Sequence, residues 1–413
     1  MNLGRSIKKR LLRKIARQGA SVGLTRRLGD ILGHAIAPLA PYDTGCAAKL
    51  APLGSSAISQ VVAPKTIGSS SDMLSVPNPD TAPLLFKEVT AYPDCSLFLR
   101  DGRALAPAHA CARRDRVSWQ NGASCSYDEP RWVALTRYPD IRIEKGICAF
   151  GHGAINWYHW LIEILPTVML SEGLGPEYDD FPLLVPEHVM RIPNFKETLM
   201  IFSGDRQILP LPAKHRLQIG EMLLVPSPVY GPYNMYAGFW PTPADYLQDV
   251  EVLARFRSRI LEATGATESD GASPRRVFLA RPADKRGYNQ EEIERVANDH
   301  GFVSIRPETL SFAEQVKLFH HADIVIGATG AAWACSLFMR SGAKGLIWAL
   351  KEYAGGCFFS NLSLVSGSDI SYQFVQADRP VTGTQDAHFR DYHVPVDVFA
   401  RNLEALCPSE PAR

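Results

Sequence analysis

Arg281, Arg286, Glu308, Ser311 and Thr329 are the residue types that grip a phosphorylated ligand, and they recur at short intervals in the second half of this chain. An arginine fork holds two diphosphate oxygens at once. A helix N-terminus offers unpaired amides and a positive partial charge. The turn at Thr329-Gly330 leads into an apolar segment starting at Ala331, which would supply such amides. A carboxylate such as Glu308 can hold ribose hydroxyls. Together these residues point to a nucleotide. Each also has a plain structural reading. Arg281 and Arg286 can be surface charges. Ser311 with Glu314 is a capping box. Gly327 and Gly330 can simply let a turn form.

A parallel sheet would bring these residues together. Arg276–Ala280, Val303–Ile305, Asp323–Ile326 and Gly345–Trp348 read as strands. Gln290–His300, Ser311–His320 and Ala331–Met339 read as helices between them. Ligands of such sheets bind beyond the C-terminal strand ends, at loops entering helices. The loops after Ala280, around Pro307–Ser311 and at Ala328–Ala331 should therefore share one rim.

The first half shows the same alternation more weakly. Cys95–Arg100 followed by Asp101-Gly102 predicts a hairpin. Gly146–Phe150 is a short strand ending in a glycine loop that holds His152. Trp157, Trp160, Leu161, Ile164, Leu165 and Val168 form an apolar helical stripe that Pro166 should bend or end. Pro182–Val185 and Met222–Val225 are strands, and Asn194–Phe202 is a helix. Alternating strands and helices give an α/β fold with a mainly parallel sheet.

The domain reading is a basic segment 1–40, a connecting segment 41–80 with little regular structure, a first domain 81–240 and a second domain 241–413. The proline-rich stretch 226–243 marks the boundary, with Tyr230, Tyr233, Tyr236 and Trp240 either lining a binding face or packing a hinge.

At 413 residues, with 46% hydrophobic and 21% charged side chains, the chain buries a large core, which excludes wholesale disorder. The 44 basic and 43 acidic residues leave no global field for nucleic acid. Eight cysteines show no CxxC pair and no zinc spacing, so the expectation is reduced thiols in a cytosolic protein. The longest uncharged run, between Asp323 and Arg340, is too short to span a bilayer. Basic charge is concentrated in the first 27 residues, where Leu3, Ile7, Leu11 and Ile15 share one helical face. Residues 1–30 read either as a helix lying on an anionic membrane or as a solvated basic terminus.

Four blocks then resemble one family. Asn156-Trp-Tyr-His-Trp-Leu-Ile-Glu-Ile-Leu-Pro166 is similar to the N-terminal-domain signature of the family 61 glycosyltransferases. Val277–Arg281, with Arg286 and Asn289, resembles the family's strand-end arginine segment. Glu308–Gln315 and Ala322–Ala332 resemble the next two blocks. The order and spacing match, and the resemblance runs from about 85 to 375. It implies a GT-B architecture of two Rossmann-like domains facing across a cleft. It implies inverting transfer from a nucleotide-sugar, commonly UDP-linked, held in the C-terminal domain. Arg281, Arg286, Asn289, Glu308, Ser311, Gln315, Thr329, Gly330 and Ala331 are the donor-side positions so implied. Two departures stand out: Thr329-Gly-Ala-Ala332 replaces a His-Gly-Ala-Gly turn, and Leu-Ala-Arg replaces Leu-Ser-Arg.

Inverting transfer needs a base for the acceptor hydroxyl and positive charge for the leaving diphosphate. The arginines and the amides at Thr329–Ala331 meet the second need, so no metal or other cofactor is expected. Tyr178-Asp-Asp180 reads as a loop. His159 and Glu163, four apart on one helical face, and His152 are the candidates for the base. His159 reads equally as a satisfied core histidine. Asn156 reads as a helix cap or, alternatively, as an acceptor-binding residue. Trp157 and Tyr158 either stack on a sugar or belong to the core.

The expected partners are a nucleotide-sugar and a glycan or lipid-linked acceptor of a bacterial capsule, exopolysaccharide or lipopolysaccharide. The expected location is the cytoplasm, at the inner face of the plasma membrane if residues 1–30 bind lipid. A catalytically inactive nucleotide-sugar-binding scaffold and a glycan phosphotransferase are the alternative readings.

Overall fold

A computed structural model describes residues 33–42, 45, 47–54, 56–78, 82–107, 111, 124–127, 132–232, 240–268, 273–282, 287–388 and 390–407. Residues 1–32 of the basic segment 1–40, and Arg286, Tyr233 and Tyr236, lie outside them, whereas the rest of that segment enters a strand of the first unit's sheet. The chain divides into two compact units.

The first unit takes the described residues of Met1–Gly54 and Pro79–Ser227. Its strands are β1 (His34–Pro41), β2 (Leu84–Tyr92), β3 (Cys95–Arg100), β4 (Arg103–Ala106), β5 (Trp132–Thr136), β6 (Asp140–Cys148), β7 (Leu183–Pro186), β8 (Ile208–Leu211) and β9 (Arg216–Leu224). They lie in the order β8-β7-β6-β9-β2-β3-β4-β1-β5, with the strand Ser124–Tyr127 paired antiparallel beyond β5. The run from β8 to β9 is parallel, whereas β2 and β3 join antiparallel. This sheet is mixed, not mainly parallel as the sequence suggested. All four residues of β7 are buried, as a strand covered on both faces requires. The predicted hairpin is β3–β4, and its turn holds Asp101 at φ 47° and Gly102 at φ 70°, the left-handed pair of a tight type I′ connection.

Between β6 and β7 the chain forms a helix with an unusual start. Residues His159–Ile164 are π-helical and continue into α1 (Leu165–Leu170). The Leu165 amide donates to the carbonyl of Trp160, five residues back. Pro166 is the physical cause. Its ring crowds the carbonyl four residues earlier and it has no amide, so the turn before it widens. The proline thus neither ends the helix nor simply bends it. The helix is followed by β7 and then α2 (Pro193–Phe202), whose Thr198 hydroxyl accepts the Trp160 indole N–H at 2.9 Å.

The second unit takes the described residues of Ser55–Asn78, Pro228–Pro232 and Ala237–Arg413. Its main sheet holds β10 (Arg276–Leu279), β11 (Val303–Ile305), β12 (Ile324–Ala328), β13 (Lys344–Leu350) and β14 (Asp369–Val375), all parallel, in the order β11-β10-β12-β13-β14. β12 is wholly buried and β13 nearly so. Around them pack α3 (Val250–Thr264), α4 (Gln290–Asp299), α5 (Phe312–His321), α6 (Ser360–Ser366) and α7 (Val396–Leu406). Asp249 caps α3 by accepting from the Val252 amide at 3.0 Å, and Gly265 ends it at φ 58°. The helix expected over Ala331–Met339 is a 3-10 helix, Ala331–Phe338.

The stretch read as a loose connector is structured. Ala47–Lys49 pairs with β2 in the first unit. Ile58–Val62 and Met73–Pro77 form a hairpin belonging to the second unit. Val62 is fixed there by Asn361 Oδ1 at 2.9 Å and by the Ser360 hydroxyl at 2.7 Å, and Lys65 pairs with Asp369 at 2.6 Å. The units therefore exchange at about residue 227, and the second unit also draws in Ser55–Asn78, which interrupts the first unit between Gly54 and Pro79.

Candidate functional sites in the two units

Each unit has a place where its strand order reverses. In the first unit, the chain leaves β6 towards β7 and β8, then returns to β9 on the other side of β6. The loops beyond β6 and β9 flank that reversal. The β6 loop carries His152 and opens the helix of His159 and Glu163. Gly151 approaches so closely that a Cβ there would sit 2.7 Å from Ser96 Oγ. That hydroxyl accepts the His152 amide at 2.8 Å. Asn156 Oδ1 accepts the Tyr158 amide at 2.9 Å, so Asn156 does cap the helix.

His159 Nδ1 lies 2.7 Å from Glu163 Oε2. His159 is buried, and Glu163 nearly so. A carboxylate at Nδ1 selects the tautomer with the proton on Nδ1 and an acceptor lone pair on Nε2. Glu163 Oε1 is buried with no hydrogen-bond partner. The Glu163 main-chain carbonyl accepts the Ser227 hydroxyl from the β9 side at 2.7 Å. His152 is half-buried, and desolvation, reinforced by neighbouring His159, pushes its pKa down to about 3. Tyr158 meets His159 edge-on with ring centres 5.6 Å apart, and Trp157 packs on Phe195 at 5.1 Å. These aromatics serve the helix packing.

In the second unit, the strand order reverses between β10 and β12. Register places Leu279 beside Gly327 and Ile305, and Ala328 beside Trp348. Arg281, Glu308 and Thr329 therefore emerge on one rim, as expected. Arg281 donates through Nη2 to the Thr329 carbonyl, which clasps the two loops across the reversal. Its guanidinium carbon lies 5.9 Å from the centre of the Tyr288 ring, which itself stacks on Tyr392. Gln290 fixes the Arg281 main chain on both sides, at 2.9 and 3.1 Å. Thr329 N–H donates to the Trp348 carbonyl at 2.9 Å, and Gly330 and Ala331 lead into the 3-10 helix.

Other expected donor-side residues have structural tasks. Asn289 pairs with the Val394 main chain at 2.8 and 3.1 Å. Ser311 forms the capping box with Glu314. Gln315 is buried and donates to the carbonyls of Pro307 and Leu310, at 3.0 and 3.2 Å. Glu308 is exposed on the 3-10 turn Pro307–Thr309. Asp179 and Asp180 are engaged by Arg206 and Lys145, in keeping with a loop. Trp240 packs against the second unit's core. Among the described residues, no three His, Cys, Asp or Glu side chains gather as metal ligands, and no helix is long and apolar enough to cross a membrane.

Sequence reasoning missed Ser96 and Ser227. Ser96 bonds to loop main chain at His152 and Ser227 to helix main chain at Glu163, and nothing in their neighbours marks them. Residues 157–346 match the family model described as Glycosyltransferase 61. The matched stretch contains the helix of His159 and Glu163 and the rim of Arg281 and Thr329. No curated protein matches the chain.

Proposed function

We propose that this family 61 glycosyltransferase is an inverting, metal-independent enzyme of GT-B type that draws its sugar from a UDP-linked donor. The observation carrying the reading is the Arg281–Thr329 clasp at the strand-order reversal of a parallel sheet. Open α/β sheets bind ligands at such reversals. The guanidinium offers charge to the departing diphosphate, and the amides after Gly330 add dipoles. In this reading a cation already fixed by Tyr288, Gln290 and Thr329 carries the load that a metal would otherwise carry.

The first unit supplies the base. His159 takes the acceptor proton on Nε2 while Glu163 holds Nδ1 and stabilises the imidazolium that forms. The acceptor is a glycan or lipid-linked glycan of a bacterial surface polysaccharide. The basic segment 1–30 draws the protein to the anionic membrane where such acceptors reside.

A thermal-shift screen of the full chain against UDP, GDP, CDP and ADP tests the donor site. A ligand at 100 times its Kd stabilises by about 2.7 kcal/mol. UDP should stand out, and Arg281→Ala should shrink its effect to about 0.4–1.4 kcal/mol. Silence with every nucleotide sinks the reading.

A further inference from the structure

His188 is a half-buried titratable side chain that the proposed chemistry does not use. It lies on the short helix Glu187–Arg191, directly after β7. Its Nε2 stands 3.1 Å from the Ala154 carbonyl, in the loop between β6 and the helix of His159. A carbonyl only accepts, so the proton of that bond belongs to His188. Burial lowers the His188 pKa against the opposing effect of this bond, so the neutral ring carries its one proton on Nε2.

The loop needs such a hold. It buries Ala154 and leaves Ile155 63% exposed, the reverse of what hydrophobic burial favours. Gly153 sits at φ 74° to allow the turn. Two side chains from outside the loop fix its main chain: Ser96 at the His152 amide and His188 at the Ala154 carbonyl. Two residues on, the Asn156 carbonyl accepts the Trp160 amide at 3.0 Å, and its side chain caps Tyr158. The course of the loop thus sets where the helix begins. The His188 ring also meets Phe195 edge-on at 5.5 Å, and Phe195 packs on Trp157 and Trp160, on either side of His159 in the chain. We infer that His188 is a positioning residue: by donating to Ala154 it holds this loop, and through the loop it keeps His159 Nδ1 on Glu163. The inference rests on the base proposed above.

Nuclear magnetic resonance of the full chain with labelled histidine imidazoles decides it. Wild type, His188→Gln, His188→Asn, His188→Leu and Glu163→Ala are compared, and His159→Gln identifies the His159 signals. The glutamine amide nitrogen stands in for Nε2, the shorter asparagine amide falls short of Ala154, and leucine donates nothing. In wild type, His159 should keep its proton on Nδ1 and exchange it slowly with water. His188→Leu and His188→Asn should speed that exchange by about 10-fold and mix the two His159 tautomers, whereas His188→Gln should restore both. Unaltered His159 signals in the leucine and asparagine variants overturn the inference and leave the His159–Glu163 pair intact. A lower melting temperature in those variants then assigns His188 to the fold alone. Equal disturbance in all three His188 variants points to ring packing on Phe195, not to the bond with Ala154, and also overturns it. His159 signals that ignore Glu163→Ala overturn the pair itself, and the inference with it.

Discussion

His159 and Glu163 meet at 2.7 Å from positions four apart in a π-helical turn, and the turn is widened by Pro166 just beyond it. One side chain orients the other, so the two should act as a unit. His159→Ala should lower turnover by about 10²- to 10⁴-fold with donor affinity unchanged. Adding Glu163→Gln to that variant should cost little more, because coupled residues are not additive. Steady-state rates at saturating donor check both. Full turnover without His159 would place the base elsewhere.

Arg281 should matter for affinity more than for folding. Charge-assisted hydrogen bonds contribute about 1.5–3 kcal/mol, so Arg281→Ala should weaken UDP on the order of 10- to 100-fold. Arg281→Lys keeps the charge but loses the fork, and should recover only part of the loss. Calorimetric Kd values for the three proteins test the order.

Ser311 separates a structural from a binding role. Its hydroxyl and Glu314 form a reciprocal cap on α5. Ser311→Ala should destabilise the protein by about 1 kcal/mol and leave UDP affinity as it was. Chemical denaturation and calorimetry on the same variant supply both numbers. A lost affinity with intact stability would return Ser311 to the donor site.

His152 makes acid stability a local property. Its folded pKa, near 3, lies well below the usual histidine value of about 6.5. Between those values the unfolded chain takes up a proton that the folded chain refuses. Stability therefore falls as pH drops below about 6.5, by up to about 1.4 kcal/mol per unit from this residue, and levels off near 3. His188 and His320, both lowered mainly by burial, act in the same direction. His152→Gln should flatten the acid side of a plot of stability against pH. An unchanged slope would show that His152 titrates normally in the folded state.

Gly327 sets the spacing of the rim. A Cβ there would come 2.8 Å from the Leu279 Cβ, at the end of the strand that leads to Arg281. Gly327→Ala should push β10 from β12, lower the melting temperature and weaken UDP together. A melting loss with normal affinity would show that the clasp absorbs the shift.

The sequence alone marked β10 to β13 of the second unit, because these strands are short apolar runs between periodic helices, but not β14, α6 or α7. It also determined that Arg281, Glu308 and Thr329 share an edge, since parallel strands put successive loops at the same end. The cap at Asn156, the box at Ser311 and the hairpin at Asp101-Gly102 were legible for the same reason: each is settled by residues within four positions. Tertiary structure decided the rest. The strand 58–62 looks like loose linker, and its partners Ser360 and Asn361 lie some three hundred residues away. The order of strands across each sheet decides which loops flank the reversal, and no local pattern encodes it. Whether a polar side chain on the rim faces a ligand or the fold depended on distant partners. Val394 claimed Asn289, and Pro307 and Leu310 claimed Gln315. Local chemistry proposes such residues, but burial and pairing are set by the whole chain.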